Sequence, residues 1–222
     1  MYKFKSNTVA LLSIFLLISC QINSNSKQDK LPQNLTDVSQ DLQEYETAYF
    51  ASGCFWCVEA IFESVVGVKE VVSGYSGGKE ENPTYQQVGR GLTSHAEAVE
   101  VYYDPEEVSF ETLVKVFFGS QDPTTLNRQG PDRGAEYRSI AFYKNPKEQQ
   151  IITNYIKELE SKKVFDKKIV TEVVPFEKFW KAEDYHQDYE KKHPNNAYIR
   201  NVSIPRLKKF QKKFPDLLKK DH

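Results

Sequence analysis

Cysteine is scarce in this chain: three residues in 222, at positions 20, 54 and 57, with none beyond. That is too few for a disulfide-stapled scaffold of this length. Methionine is scarcer still, confined to Met1. Glycine and proline, ten of each, are too thin for a collagen-like or low-complexity chain. An excess of one charge is also missing, since 30 Lys and Arg offset 31 Asp and Glu for a formal charge of −1. No nucleic-acid partner is therefore expected. No apolar run approaches the roughly 20 residues that a membrane-spanning helix needs. What is present is globular: 39% hydrophobic and 27% charged residues, with 14 Phe and 13 Tyr to fill the core of one domain.

The N-terminus reads as an address. Lys3 and Lys5 precede a short apolar run, residues 9–18, which ends in Leu17-Ile18-Ser19-Cys20. A small residue before Cys at this point resembles the bacterial lipoprotein signal, which implies lipidation of Cys20; an ordinary signal cut nearby with Cys20 left free is the other reading. Residues 1–19 are expected to be the signal and 20–45, rich in Asn, Gln, Ser and Asp, a lipidated flexible tether. Such a tether reaches roughly 25–30 Å from a membrane. The expected location is the bacterial cell envelope, lipid-anchored at the outer membrane or facing the periplasm. Loss of the signal would leave a chain without methionine, which suits a protein working among oxidants.

From residue 46 the pattern alternates strand and helix. Residues 47–51 (TAYFA) are β-prone, residues 54–65 carry apolar residues at helical spacing, and residues 68–75 are β-like. Residues 98–103 alternate as a strand, Ser109 caps a helix, residues 138–143 form a strand, and Asn145-Pro146 opens another helix. Residues 168–174 read as a last strand. This order predicts an α+β fold, a mixed β-sheet sandwich with a ferredoxin-like (split βαβ) core, helices on one face and long active-site loops at 76–96 and 119–137. The domain is expected over 46–200, followed by a basic amphipathic C-terminal helix over 201–222. From Lys191 onward ten Lys or Arg face two Asp, and Ile204, Leu207, Phe210, Phe214 and Leu217 share one helical stripe. That stripe either packs on the domain or lies against anionic lipid.

The chemistry concentrates at Gly53-Cys54-Phe55-Trp56-Cys57. Cys54 follows a strand and Gly53, so it is expected at a helix N-terminus, where free amides and the helix dipole favour a thiolate. Such sites lower a thiol pKa from about 8.5 to between about 3.5 and 7.5. Cys57, one turn later, is within reach to resolve an oxidised Cys54 as a disulfide. Zinc would need two further ligands, and the four His, at 95, 186, 193 and 222, are dispersed. No metal is expected. A purely structural Cys pair, a thioredoxin-like disulfide oxidoreductase and a non-catalytic, surface-anchored binding lipoprotein remain open on the CxxC alone. The second is disfavoured because Trp56 lies between the cysteines rather than before them.

The GCFWC run is similar to the signature of the A-type peptide methionine sulfoxide reductases. The likeness extends through VSGYSGG (72–78), NPTY (82–85), HAEA (95–98), QGPD (129–132), YRS (137–139) and EDYHQDY (183–189), in order, over about residues 48–197. It implies reduction of methionine-S-sulfoxide, in oxidised proteins and as the free amino acid. Cys54 is implied as nucleophile, Glu97 as the acid protonating the sulfoxide oxygen, and Tyr85 and Tyr137 as donors to that oxygen. Asp132 is implied as a supporting carboxylate and Phe55 and Trp56 as the wall for the substrate methyl group. His95 and His186 read as structural. The resemblance implies no cofactor, only an external dithiol reductant of the thioredoxin type, and a monomer is expected. Where relatives resolve with C-terminal cysteines this chain has none, so the resolving role falls on Cys57 or an external thiol. Glu136 is a further departure, expected near the pocket rim.

Overall fold

The computed structural model describes residues 42–220; the signal segment, Cys20 and the tether up to residue 41 lie outside the described residues. The chain runs β1 (Glu46–Ser52), α1 (Phe55–Glu63), β2 (Val68–Ser76), α2 (Tyr85–Val88), β3 (Ala96–Tyr103) and α3 (Phe110–Gly119). A small hairpin follows, β4 (Arg128–Gln129) and β5 (Asp132–Arg133), then β6 (Ser139–Tyr143), α4 (Pro146–Ser161), β7 (Glu172–Pro175) and β8 (Phe179–Lys181). The last elements are α5 (Tyr189–Lys192), a π turn (Ile199–Ser203) and α6 (Ile204–Lys213). The caps follow the sequence: Ser109 accepts from the Thr112 amide, and Asn145 accepts from the Glu148 amide ahead of Pro146.

Six strands form one mixed sheet in the order β7-β6-β1-β3-β2-β8, in which only β6–β7 is parallel. The chain is α+β. Strand alternation divides the sheet into two apolar faces. Ala48, Phe50, Val99 and Val101 point to the face covered by α1 and α3, where Phe50 lies 5.2 Å from Phe62 and 5.0 Å from Phe117, ring centre to ring centre. Tyr49, Ala51, Ala96, Ala98, Ile140 and Phe142 point the other way, under Phe176 and Phe179. Tyr49 stacks on Phe176 with centroids 3.6 Å apart. Both faces are thus buried, the second by loop aromatics rather than helices.

The strand expected at 168–174 is shorter, β7 alone, because the Val170 amide leaves the sheet to donate to the Pro123 carbonyl. The C-terminal stripe breaks at Lys213. Pro215 cannot continue the helix, and a 3-10 turn (Pro215–Leu217) follows. α6 packs against α1 with Phe210 fully buried, and Phe214 sits against Gly119. The Val66 amide bonds the Leu217 carbonyl and the Lys219 amide bonds Ser64, which ties the end of the chain to the end of α1. Among the described residues no helix is long and apolar enough to cross a membrane.

Candidate active site

β1 delivers the chain to Gly53, whose φ of +83° turns it sharply into α1. A Cβ at that position would lie 2.5 Å from Cβ of Gln129, so glycine also admits the β4–β5 hairpin close behind. Cys54 is the N-cap of α1, and both it and Cys57 are buried free thiols. Glu97 lies on β3 with the parity of Val99 and Val101, so it faces α1. Its Oε2 accepts the Phe55 amide at 3.0 Å. Burial pushes its pKa up to about 8; the Phe55 amide opposes this, while the charges of Asp132 and Glu136 add to it. A carboxyl in that state is a proton donor at neutral pH.

The same contact corrects the expectation for Cys54. The amide at the start of α1 is spent on Glu97, so it does not hold a thiolate. Burial, the hydrogen bond and charge of Cys57, and the charge of Glu97 together push the Cys54 thiol well above its ordinary pKa. Cys57 moves the other way, down to about 6. The neighbouring Cys54 outweighs its burial, with support from the Arg206 charge. Of the two thiols, Cys57 is the more acidic.

Tyr85 opens α2, anchored by a reciprocal cap between Thr84 and Gln87 and by its amide, which donates to Glu183 Oε1 at 3.0 Å. Glu183 Oε2 accepts the Tyr75 hydroxyl at 2.9 Å. Tyr137 ends a 3-10 turn (Ala135–Tyr137), and Arg138 beside it bonds the carbonyls of Ala135, Gly77 and Ser94, binding the two long loops together. Burial and the nearby Glu97 and Cys54 charges raise the pKa of both tyrosines, Tyr85 to about 12, so both stay neutral donors. Among the described residues neither hydroxyl bonds another group.

Phe55 is buried against Tyr75, Tyr85 and His186, at ring separations of 5.9, 6.3 and 5.0 Å. Half-buried Trp56 stacks flat on Tyr189 at 3.8 Å and donates through Nε1 to His186 Nδ1 at 3.2 Å. His186 is buried, which lowers its pKa, and with Nδ1 accepting it carries its proton on Nε2. It packs and orients the aromatic box. His95 is likewise built into the frame, its Nδ1 accepting the Gly78 amide and its Nε2 donating to the Glu80 carbonyl at 2.7 Å. Glu136 is buried rather than on the rim, with its carboxylate against Gly134.

Asp132 comes from β5 and accepts the Tyr198 hydroxyl at 2.6 Å. That hydroxyl also lies 3.8 Å from Cys57 Sγ. Burial raises the Asp132 pKa, with Tyr198 and Arg206 opposing. A cleft of about 580 Å³ opens here, lined by Cys57, Gln129, Asp132, Val202, Arg206 and Lys209 among others. The fold thus gathers every residue that the sequence singled out from 54 to 137. Tyr198, Ser203 and Arg206 are the members that residue patterns missed, and Glu183 lay in the EDYHQDY block without a role of its own. Only the stripe of Ile204, Leu207 and Phe210 signalled that the C-terminal segment would dock, leaving its neighbours Ser203 and Arg206 turned toward α1. An acidic group is formed by Glu59 and Glu63 of α1 with Asp188. Its charge is met internally: Glu59 accepts from the Ser73 hydroxyl and the Asp188 amide, and Lys191 pairs with Glu63 at 2.8 Å.

Two neighbouring buried thiols at the start of a helix on an α+β frame, with a buried carboxyl held by the first amide of that helix, define a thiol-based oxidoreductase. Comparison with known proteins gives that class a family. The description "Peptide methionine sulfoxide reductase" matches residues 46–218. Peptide methionine sulfoxide reductase MsrA 2 of Synechocystis sp. is 46% identical over 187 residues, 84% of this chain and 87% of that protein. The MsrA of Sulfolobus acidocaldarius is 49% identical over 171 residues, 77% and 96% of the two chains. Among solved structures, methionine sulfoxide reductase A of Corynebacterium diphtheriae is similar with a TM-score of 0.61 and 35% identity, covering 69% of this chain and 77% of that one. Reduced Mxr1 from Saccharomyces cerevisiae is similar with a TM-score of 0.62 and 32% identity, covering 69% and 88%. The chain belongs to the peptide methionine sulfoxide reductase family, type A, and is an oxidoreductase that reduces methionine sulfoxide.

Proposed function

We propose that the protein repairs methionine-S-sulfoxide, in oxidised proteins and as the free amino acid, through a sulfenic acid on Cys54 and a Cys54–Cys57 disulfide. The observation that carries this reading is the Glu97 carboxyl, protonated at neutral pH and fixed by the Phe55 amide at the start of the helix that bears both thiols. The sulfoxide methyl group rests on Phe55 and Trp56, where sulfur and aromatic carbon attract. Tyr85 and Tyr137 donate to the sulfoxide oxygen, two neutral donors aimed where charge develops. Cys54 sulfur attacks the sulfoxide sulfur while its proton passes to the Cys57 thiolate. Glu97 gives its proton to the oxygen, the hydroxyl passes from the methionine sulfur to Cys54 as the sulfur–oxygen bond breaks, and the transient bond between the two sulfurs breaks to release methionine. Methionine sulfur gains two electrons and Cys54 sulfur loses them, leaving Cys57 as a thiol and Glu97 as a carboxylate.

Cys57 then closes the disulfide, with loss of water, and an external dithiol of the thioredoxin type reopens it. The inner strands β6-β1-β3-β2, with α1 and α3 between them in sequence, are read as a ferredoxin-like split βαβ core. Lipid attachment at Cys20, which would hold the enzyme at the bacterial envelope, rests on the signal-like segment alone.

The reading is tested by mass spectrometry of a methionine-S-sulfoxide peptide. Cys54→Ser is expected to abolish reduction, because a hydroxyl is a far weaker nucleophile. Cys57→Ser is expected to release one methionine per enzyme and then stop, with a dimedone adduct on Cys54. Normal cycling of Cys57→Ser with a protein dithiol would contradict the resolving role.

A further inference from the structure

Once methionine has left, Cys57 holds the proton taken from Cys54. The Cys54 thiol whose contact had lowered the Cys57 pKa no longer exists, so this proton must be removed before Cys57 can attack. The proposed function leaves this step without a base. Three side chains of the C-terminal segment surround the Cys57 sulfur. The Tyr198 hydroxyl lies 3.8 Å away, Arg206 lines the same cleft as Cys57, and both Arg206 and Ser203 favour ionisation of the thiol. They come together because the π turn Ile199–Ser203 intervenes: hydrogen bonds there link residues five apart, which brings Ser203 under Tyr198, and Arg206 follows one turn on. Each is anchored in turn. Ser203 donates to Glu190, and Arg206 donates to the Ser120 carbonyl at 2.9 Å and to the Ser52 hydroxyl at 3.3 Å. Tyr198 donates to Asp132 at 2.6 Å, which leaves its oxygen lone pairs toward Cys57. None of the three belongs to the wall that receives the substrate methyl group.

Resting on the Cys54–Cys57 reading above, we infer that Tyr198 relays the proton of Cys57 to Asp132 during disulfide closure, in a cradle that Ser203 and Arg206 complete. The thiol proton moves to the Tyr198 oxygen as the tyrosine proton moves to the Asp132 carboxylate. The freed electron pair of Cys57 forms the sulfur–sulfur bond, and the sulfur–oxygen bond of the Cys54 sulfenic acid breaks. The departing hydroxide takes a proton from solvent and leaves as water. Asp132 suits the role because burial has raised its affinity for a proton, and the cleft beside it lets that proton escape. The Arg206 charge then faces a thiolate rather than a thiol, which favours the transfer.

Tyr198→Phe keeps the ring and its edge contact with Trp56 (6.0 Å between centres) but removes the relay. Two steps are followed in single turnover: methionine release, and disulfide closure measured as loss of the dimedone-reactive sulfenic acid. Closure is expected to slow roughly tenfold at neutral pH, far more than methionine release, with the gap shrinking as pH rises toward the ordinary thiol pKa of about 8.5. An unchanged closure rate would overturn the relay. So would equal slowing of both steps, or slowing by the same factor at every pH, since either is what a structural defect produces. If Tyr198→Phe fails to fold by circular dichroism, Ser203→Ala carries the same pH-dependent prediction with a smaller gap, and no gap overturns the cradle. Cys57→Ser serves as control: if it closes the cycle normally, the resolving role itself fails, whatever the tyrosine variant does.

Discussion

The two thiols of the CxxC motif sit one helical turn apart, yet their surroundings differ in kind. Cys54 faces the sheet and the loops before residue 140, among Phe55, Tyr85, Tyr137 and a protonated Glu97. Cys57 faces the C-terminal segment, with hydroxyls, a guanidinium and a carboxylate around it. The first setting penalises charge more strongly and the second less, although the Tyr198 hydroxyl bears on both sulfurs. Burial alone would raise both pKa values. What separates them is their effect on each other, which raises Cys54 and lowers Cys57, together with the Arg206 charge on the Cys57 side. In the proposed mechanism, one motif is divided into a half that binds and reduces the sulfoxide and a half that stores a proton and closes the disulfide.

The division is tested most severely at Glu97. Glu97→Gln keeps the shape and the Phe55 contact but has no acidic proton, so methionine release is expected to fall by about 10²–10⁴-fold in single turnover. Disulfide closure from a chemically generated Cys54 sulfenic acid is expected to change little. Comparable loss in both steps would erase the boundary between the two halves. A smaller effect is expected from Tyr85→Phe and Tyr137→Phe, each removing one neutral donor to the sulfoxide oxygen. About tenfold apiece on methionine release, and more in the double variant, is expected from rapid-quench measurement. If either tyrosine variant affects closure instead, that phenol belongs with the Cys57 side.

The sequence made one side of this comparison far more legible than the other. Strand alternation and helix caps lie within a few residues of one another, so β1, β3, α3 and α4 are readable locally, as is the parity that turns Glu97 toward α1. The GCFWC run and its companion blocks marked the substrate side for the same reason. The Cys57 side depends on contacts spanning the chain: Tyr198 meets Cys57 across 141 residues and Asp132 across 66. A tyrosine in an Asn-rich turn and an arginine beside an apolar stripe carry no local sign of such partners. The helix-start argument for a Cys54 thiolate erred on one hydrogen bond. It counted the free amides of the helix start toward the sulfur, and tertiary structure gives the first of them, Phe55, to Glu97.

Which sulfur carries the charge in the resting enzyme is therefore the central claim, and thiolate absorbance in the ultraviolet reads it without needing reagent access to buried groups. Titrated from acid to neutral pH, the reduced protein is expected to gain a single buried thiolate with a midpoint near the Cys57 value of about 6. The signal rises as pH increases, because a lowered pKa means the proton is lost early. It should persist in Cys54→Ser, whose hydroxyl still donates to Cys57, and vanish in Cys57→Ser. The reverse pattern, a low transition kept in Cys57→Ser and lost in Cys54→Ser, would return the thiolate to the helix start and contradict the account.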